Sequence, residues 1–179
     1  HPDAILARVL PPKADIHLLK LSNRATAYAI GGVPLLFEVD RSPALLPSVH
    51  GLWAAGPGAR LLPTIFTHSE VSPRVLGGAD LFLQGFIVPP EGLPPLAAGD
   101  VAVLAVLDPS AADPASASSQ QAFALGVMEC SSEAAAAAGM KGKGLRLLHH
   151  YPDGLWALAP EGGGAASARR ADAGFAGHV

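Results

Sequence analysis

One stretch constrains this chain more than any other: Val101-Ala102-Val103-Leu104-Ala105-Val106-Leu107. Seven consecutive apolar residues rich in valine read as a β-strand covered on both faces. Gly99-Asp100 supplies the turn that leads in. The Ala, Ser, Pro and Asp residues from Asp108 to Ser119 lead out and read as a flexible loop. A strand of this kind needs neighbours on either side, and the sequence offers several candidates.

Phe123 to Met128 is the next apolar run, with Gly126 as a point of close approach or a bulge. Leu145 to Tyr151 follows, and Pro152-Asp153-Gly154 is expected to turn it into a hairpin with Leu155 to Leu158. Upstream, Phe86-Ile87-Val88 stops at Pro89-Pro90, and Asp80 to Leu83 alternates weakly between polar and apolar. Between the later strands, Ser132 is expected to cap a short alanine helix, with Glu133 at its positive end and Gly139 as its stop. Short strands at regular spacing with one small helix predict a closed or partly closed barrel.

The first part of the chain also reads as short strands. Ile16 to Leu19 and Ala27 to Ile30 flank the turn cluster Ser22-Asn23-Arg24. Gly31-Gly32 then leads into Val33 to Val39, where Pro34 marks an edge or a strand entry. Pro47 to Trp53 reads as a further strand, stopped by Gly56-Pro57-Gly58. Ser72-Pro73 opens a helix with a hydroxyl cap and a proline in the first turn, and Gly77 closes it.

Composition agrees with this pattern. Gly 20 and Pro 17 make up about a fifth of 179 residues, against a usual share of roughly 12%, which favours turns over long helices. Hydrophobic residues reach 50%, enough to bury a core. No apolar run approaches the roughly 18 residues of a membrane span. The net charge of -3 excludes a strongly basic nucleic-acid-wrapping protein. Charge is uneven, however. Residues 1–78 carry +2, residues 79–160 carry -5, and the rest balances. The shift points to a boundary near Gly77-Gly78.

Cys130 is the single cysteine, so neither an internal disulfide nor a cysteine-based zinc site can form, and a reducing compartment is the simpler expectation. The chain opens on His1-Pro2-Asp3-Ala4. Without an initiator Met or a signal pattern, it is expected to be a piece of a longer protein.

Few residues arrange themselves for chemistry. Gly77-Gly78-Ala79-Asp80 is either a helix C-cap feeding a strand or a turn whose backbone N–H groups approach a phosphate or base edge. No Gly-Lys-Ser/Thr follows it, so it is not a nucleotide-triphosphate loop. Lys141-Gly142-Lys143-Gly144, with Arg146 nearby, is either a solvated turn or a phosphate-neutralising one. His149 and His150 are neighbours on a strand and point to opposite faces, which argues for structure over metal binding. Tyr151 and Trp156 either stack bases or pack the hairpin. His68, Ser69 and Glu70 are merely sequential, and a catalytic triad forms in space. Cys130 reads as an inert thiol. Neither an enzyme, nor a cofactor, nor a metal site is expected.

Taken in order, Gly77-Gly78-Ala79-Asp80-Leu81, Gly85, Gly99-Asp100-Val101-Ala102-Val103, Gly126-Val127, Lys141-Gly142-Lys143-Gly144 and His149 to Trp156 resemble a PUA domain over about 80 residues. This is the small RNA-binding pseudobarrel of pseudouridine synthases and archaeosine transglycosylases. Upstream, Gly31-Gly32-Val33-Pro34-Leu35-Leu36-Phe37-Glu38, Leu52-Trp53, Leu61-Leu62-Pro63 and Pro89-Pro90-Glu91-Gly92-Leu93-Pro94 resemble the ligatin family (eukaryotic translation initiation factor 2D). That family joins a pre-PUA domain to a PUA domain. It is related to the malignant T-cell amplified protein family. The resemblance spans roughly residues 13 to 158.

The resemblance implies an α+β, mainly β chain. A pre-PUA-like α/β domain, incomplete at its start, would occupy residues 1–78, a PUA pseudobarrel 79–160, and a Gly/Ala-rich linker to further modules 161–179. It implies a cytoplasmic, GTP-independent translation initiation factor that contacts the small ribosomal subunit and helps deliver or release tRNA, with tRNA or ribosomal RNA as partner. It assigns RNA contact to Gly78, Ala79, Asp80, Gly85, Lys141, Lys143 and Arg146. Two other readings stand beside it: the PUA appendage of an RNA-modifying enzyme, and a protein-interaction scaffold that does not touch RNA.

Overall fold

The computed structural model describes residues 7–42, 44–56, 59–107 and 120–161. The chain is mainly β and divides into two compact units, one built from residues 1–59 and 152–179, the other from 60–151. The expected flexible loop at 108–119 and most of the expected linker at 161–179 lie outside the described residues.

The first unit is an antiparallel meander. Strands β1 (Ile16–Lys20), β2 (Thr26–Ile30), β3 (Val33–Glu38) and β4 (Leu46–Pro47) lie in chain order. Gly31 and Gly32, with φ of 60° and 83°, form the two-residue turn between β2 and β3. Positive φ at both positions is what the right-handed strand twist asks of such a turn. Pro34 enters β3 next to an irregularity: Tyr28 faces Leu36 and Ala29 faces Pro34, leaving Leu35 as the extra residue. A bulge is where a sheet tolerates proline. The freed Leu35 carbonyl accepts the Ser48 N–H at 2.9 Å.

Pro47 to Trp53, expected as a strand, is instead mostly helix: α1 covers Val49–Ala55. Ser48 decides the difference. Its Oγ accepts the Gly51 N–H at 3.0 Å and donates to the Pro34 carbonyl at 2.5 Å. The N-cap therefore starts the helix and anchors it to β3. A Cβ at Gly51 would fall on the Leu35 carbonyl oxygen, so only glycine lets α1 pass so near the strand. Ala27, Ala29, Phe37, Val49 and Trp53 are buried here.

The second unit holds a six-stranded sheet: β5 (Thr64–Thr67), β6 (Leu81–Phe82), β7 (Phe86–Ile87), β8 (Val101–Leu107), β9 (Gln120–Met128) and β10 (Lys143–His150). Their spatial order is β6-β10-β9-β8-β5-β7. The two edge strands, β6 and β7, are joined by the single 3₁₀ turn Leu83–Gly85. So short a link can connect the two edges only if the sheet curls back on itself, which makes it a pseudobarrel. Phe123, Leu104, Leu125, Met128 and Leu145 fill the inside. The run Val101–Leu107 is the strand its composition demands. It pairs with β9 on one side and, in parallel, with β5 on the other.

That parallel pairing moves the boundary. Residues 64–67 hydrogen-bond to β8, so the break between units falls after Ala59, and Gly77-Gly78 lies inside the second unit. The far end changes too. Leu155 to Leu158 forms no strand with β10. Asp153 Oδ1 accepts the Trp156 N–H at 3.0 Å, Trp156–Leu158 becomes a 3₁₀ turn, and this segment belongs to the first unit.

The remaining helices are short. In α2 (Ser72–Leu76) proline sits in the first turn as expected, but the N-cap is Val71, and the Ser72 hydroxyl donates to the Ser69 carbonyl at 2.7 Å. In α3 (Ser132–Ala137) the cap is Ser131, whose Oγ accepts the Ala134 N–H at 3.1 Å. Ser132 instead donates to the Pro94 carbonyl at 2.6 Å, because a better placed hydroxyl precedes it.

Candidate nucleic-acid interface

The glycine turn is first of all a helix terminus. Gly77 N–H donates to the Pro73 carbonyl at 3.1 Å, Gly78 N–H to Val75 at 2.9 Å and Ala79 N–H to Arg74 at 3.1 Å. All three amides satisfy the last carbonyls of α2. They are therefore not open to a phosphate. Gly78, at φ of 89°, turns the chain into β6, and Gly77 through Asp80 are exposed. Gly77, Gly78 and Ala79 leave this stretch of surface without side-chain bulk.

Asp80 works as a bracket. Its Oδ1 accepts the Leu147 N–H at 2.8 Å, continuing the β6–β10 ladder by a side chain where the main chain has left the strand. Gly85 is placed elsewhere. Its carbonyl accepts the Thr67 hydroxyl at 2.6 Å, and a Cβ there would sit 2.6 Å from Leu81 Cδ1 and 3.3 Å from Val71 Cγ1. It packs the base of the 3₁₀ turn and does not line the exposed edge.

Strand β10 and the turn before it carry the basic residues. Lys141 and Lys143 are exposed on either side of Gly142, whose φ is 111°. The Gly142 carbonyl accepts the Leu83 N–H at 3.0 Å, fixing this turn to the 3₁₀ turn. Arg146 is held by Glu129, Nε to Oε1 at 3.1 Å, in a half-exposed ion pair. Such a pair is weak and can exchange partners. Among the described residues neither lysine is ion-paired.

Because β6 pairs antiparallel with β10, the two candidate turns lie at opposite ends of the same edge: the lysine turn beside Phe82 and Leu83, the glycine turn beside Leu147 and His150. Lys143 faces Phe82 and Leu145 faces Leu81. Asp80, Leu81, Phe82, Glu129, Lys143, Gly144 and Leu145 line one shallow groove along that edge. Gly144 is buried because a Cβ would lie 2.7 Å from the Phe86 ring and 2.9 Å from the Leu81 carbonyl oxygen.

Phe82 and Glu129 are the groove residues that sequence reasoning missed. Phe82 is 55% exposed. A signal was present: in the alternation Asp80-Leu81-Phe82-Leu83, Leu81 and Leu83 point inward, so Phe82 shares the outward parity of Asp80. Of the other candidates, His149 is buried at 1% exposure, and His150 lies on the opposite face near Gly78. Trp156 is in the first unit, its ring against His50. Cys130 Sγ has only a long contact, 3.9 Å, with the Lys143 carbonyl.

With the geometry in view, comparison with known proteins decides the family. Residues 2–55 match the pre-PUA-like domain family, and residues 62–154 match the family described as "elF2D, PUA domain". The chain belongs to this pre-PUA and PUA family. Within the family, the chain is 36% identical over 155 residues to mouse eukaryotic translation initiation factor 2D, covering 84% of this chain and 25% of the mouse protein. It thus spans about a quarter of that relative. Yeast translation machinery-associated protein 20 is 25% identical over 157 residues, covering 88% of this chain and 80% of the yeast protein. A conserved PUA domain protein from Thermoplasma acidophilum shares the fold with a TM-score of 0.61, at 22% identity, covering 88% of this chain and 91% of that one. The family boundary between residues 55 and 62 coincides with the break between compact units at Ala59.

Proposed function

We propose that this chain is the RNA-contacting amino-terminal block of a translation factor, with the β6–β10 edge as its RNA surface. The observation that carries the reading is the pairing of β6 with β10. It sets Lys143, without an ion-pair partner among the described residues, beside the exposed Phe82 on one groove, with Lys141 next to that end of the edge and the exposed small-residue turn at the other end. Membership in a family whose named members include initiation factors supports it.

Lys141, Lys143 and a re-paired Arg146 neutralise phosphates, while Gly78 and Ala79 let a folded RNA lie close by contour. Three cations give a modest salt dependence. The remaining affinity comes from the ribosome or from linked modules. In this reading the partner is the small ribosomal subunit with its tRNA, and the block acts in the cytoplasm as a binding module, without GTP and without catalysis.

The test is co-sedimentation with small ribosomal subunits. Wild-type protein pellets with the subunits, and the Lys141→Glu, Lys143→Glu double variant stays in the supernatant. Equal pelleting of both proteins, or no pelleting of the wild type, defeats the proposal.

A further inference from the structure

The strand register places an aromatic ring and an ammonium group side by side. Phe82 and Lys143 are direct cross-strand partners. Residues so paired project to the same face, with Cβ atoms about 5 Å apart. Both are exposed. An exposed phenyl ring in a two-residue edge strand does nothing for the core. Leu81 beside it supplies the packing, at 4% exposure.

We infer that Phe82 and Lys143 form a subsite for one unpaired nucleotide, the base stacked on the Phe82 ring and its phosphate held by Lys143. This rests on the RNA-binding reading and deepens it, because it names unpaired rather than duplex RNA as the ligand. A base still paired inside a duplex offers its edges and hides its faces, so it cannot cover a protruding ring. A splayed base offers a π-face. The charge arrangement fits one phosphate. Lys143 has no ion-pair partner among the described residues, whereas Arg146 is matched by Glu129. The Asp80 carboxylate, with Oδ1 on the Leu147 N–H, lies on the β10-carboxyl side of Lys143 and turns the anionic backbone toward Lys141.

The experiment measures binding of a labelled single-stranded oligoadenylate and of a labelled blunt-ended RNA duplex, alongside co-sedimentation with small ribosomal subunits. Phe82→Ala is expected to weaken oligoadenylate binding about 10-fold, the loss of one stacked base. It leaves duplex binding unchanged. Phe82→Trp restores affinity, and its added fluorescence is quenched as the oligoadenylate binds. Lys143→Gln lowers the salt slope of oligoadenylate binding by about 0.7. If wild type and Phe82→Ala bind oligoadenylate equally while the wild type still pellets with subunits, the subsite is refuted and the ring is left to a protein contact. If Phe82→Ala weakens oligoadenylate and duplex binding alike, selectivity for unpaired bases is refuted. If the wild type binds no RNA and does not pellet, the RNA-binding reading itself fails.

Discussion

The ring of His50 lies on the ring of Trp156, centroids 3.7 Å apart and planes within 9°. His50 Nε2 is also 3.1 Å from the Trp156 carbonyl oxygen. Residues more than a hundred positions apart are thereby joined inside the first unit. Trp53 closes the cluster with its ring edge-on to Trp156 at 5.0 Å. The segment after β10 thus returns to the unit that holds β1 to β4.

Removing Trp156 tests the weight of that return. Trp156 is half-buried, so Trp156→Ala is expected to cost about 2 kcal/mol, below the full core value for an aromatic. The measurement is urea denaturation followed by Trp53 fluorescence. An unchanged midpoint would show that the segment docks without stabilising its unit.

Gly126 and Gly154 are predicted to differ sharply. A Cβ on Gly126 would lie 2.5 Å from Leu145 Cγ and 2.6 Å from the Arg146 carbonyl oxygen. The carbonyl cannot yield without opening the β9–β10 ladder, so Gly126→Ala destabilises by about 1–3 kcal/mol. A Cβ on Gly154 meets nothing within 4 Å and its φ is not positive. Gly154→Ala is neutral, or stabilises by about 0.5 kcal/mol through the unfolded chain. Thermal melts of the two variants check the contrast.

Asp80 is predicted to act through structure. Asp80→Ala removes the acceptor for the Leu147 N–H and costs about 1 kcal/mol. Asp80→Asn keeps an acceptor oxygen and costs less. Amide exchange at Leu147 is the specific readout: it accelerates in the alanine variant and changes little in the asparagine variant.

Tyr28 provides a pH test. Its phenol is held above the usual value, first by its hydrogen bond to the Glu38 carboxylate, then by desolvation and by the negative charge of Glu38. The two residues are diagonal neighbours on β2 and β3, since Thr26 faces Glu38. A raised phenol favours the neutral folded form. The stabilisation is therefore complete below the unfolded phenol value and disappears as pH climbs through the folded one. In Glu38→Gln, one of the two tyrosines should form phenolate at lower pH than in the wild type. An unaltered phenolate absorbance titration would refute the assignment.

Local chemistry was legible in the sequence where one segment decides its own conformation. The valine-rich run became β8, Gly31-Gly32 became the β2–β3 turn, and Pro73 in the first turn and Gly77 at the end bracket α2, although Ser72 is not its cap. The lysine turn and the glycine turn were legible as turns. Pro47 to Trp53 was misread because its apolar run suits either state, and the contact between Ser48 and Pro34 settles it. Phe82 was passed over because a phenylalanine between two leucines reads as core, and only its parity with Asp80 marks it as outward-facing.

Amino-acid order alone determined the strand-rich class, the positions of the turns and the two-domain family, since backbone preference and side-chain period act over a few residues. Tertiary structure alone decided which strands are neighbours: β5 beside β8, β6 beside β10, and Trp156 against His50. Those pairings depend on burying apolar faces contributed by distant segments, and no local pattern encodes the partner. The candidate RNA groove exists only because Leu81-Phe82 and the start of β10, far apart in the chain, pair as adjoining strands.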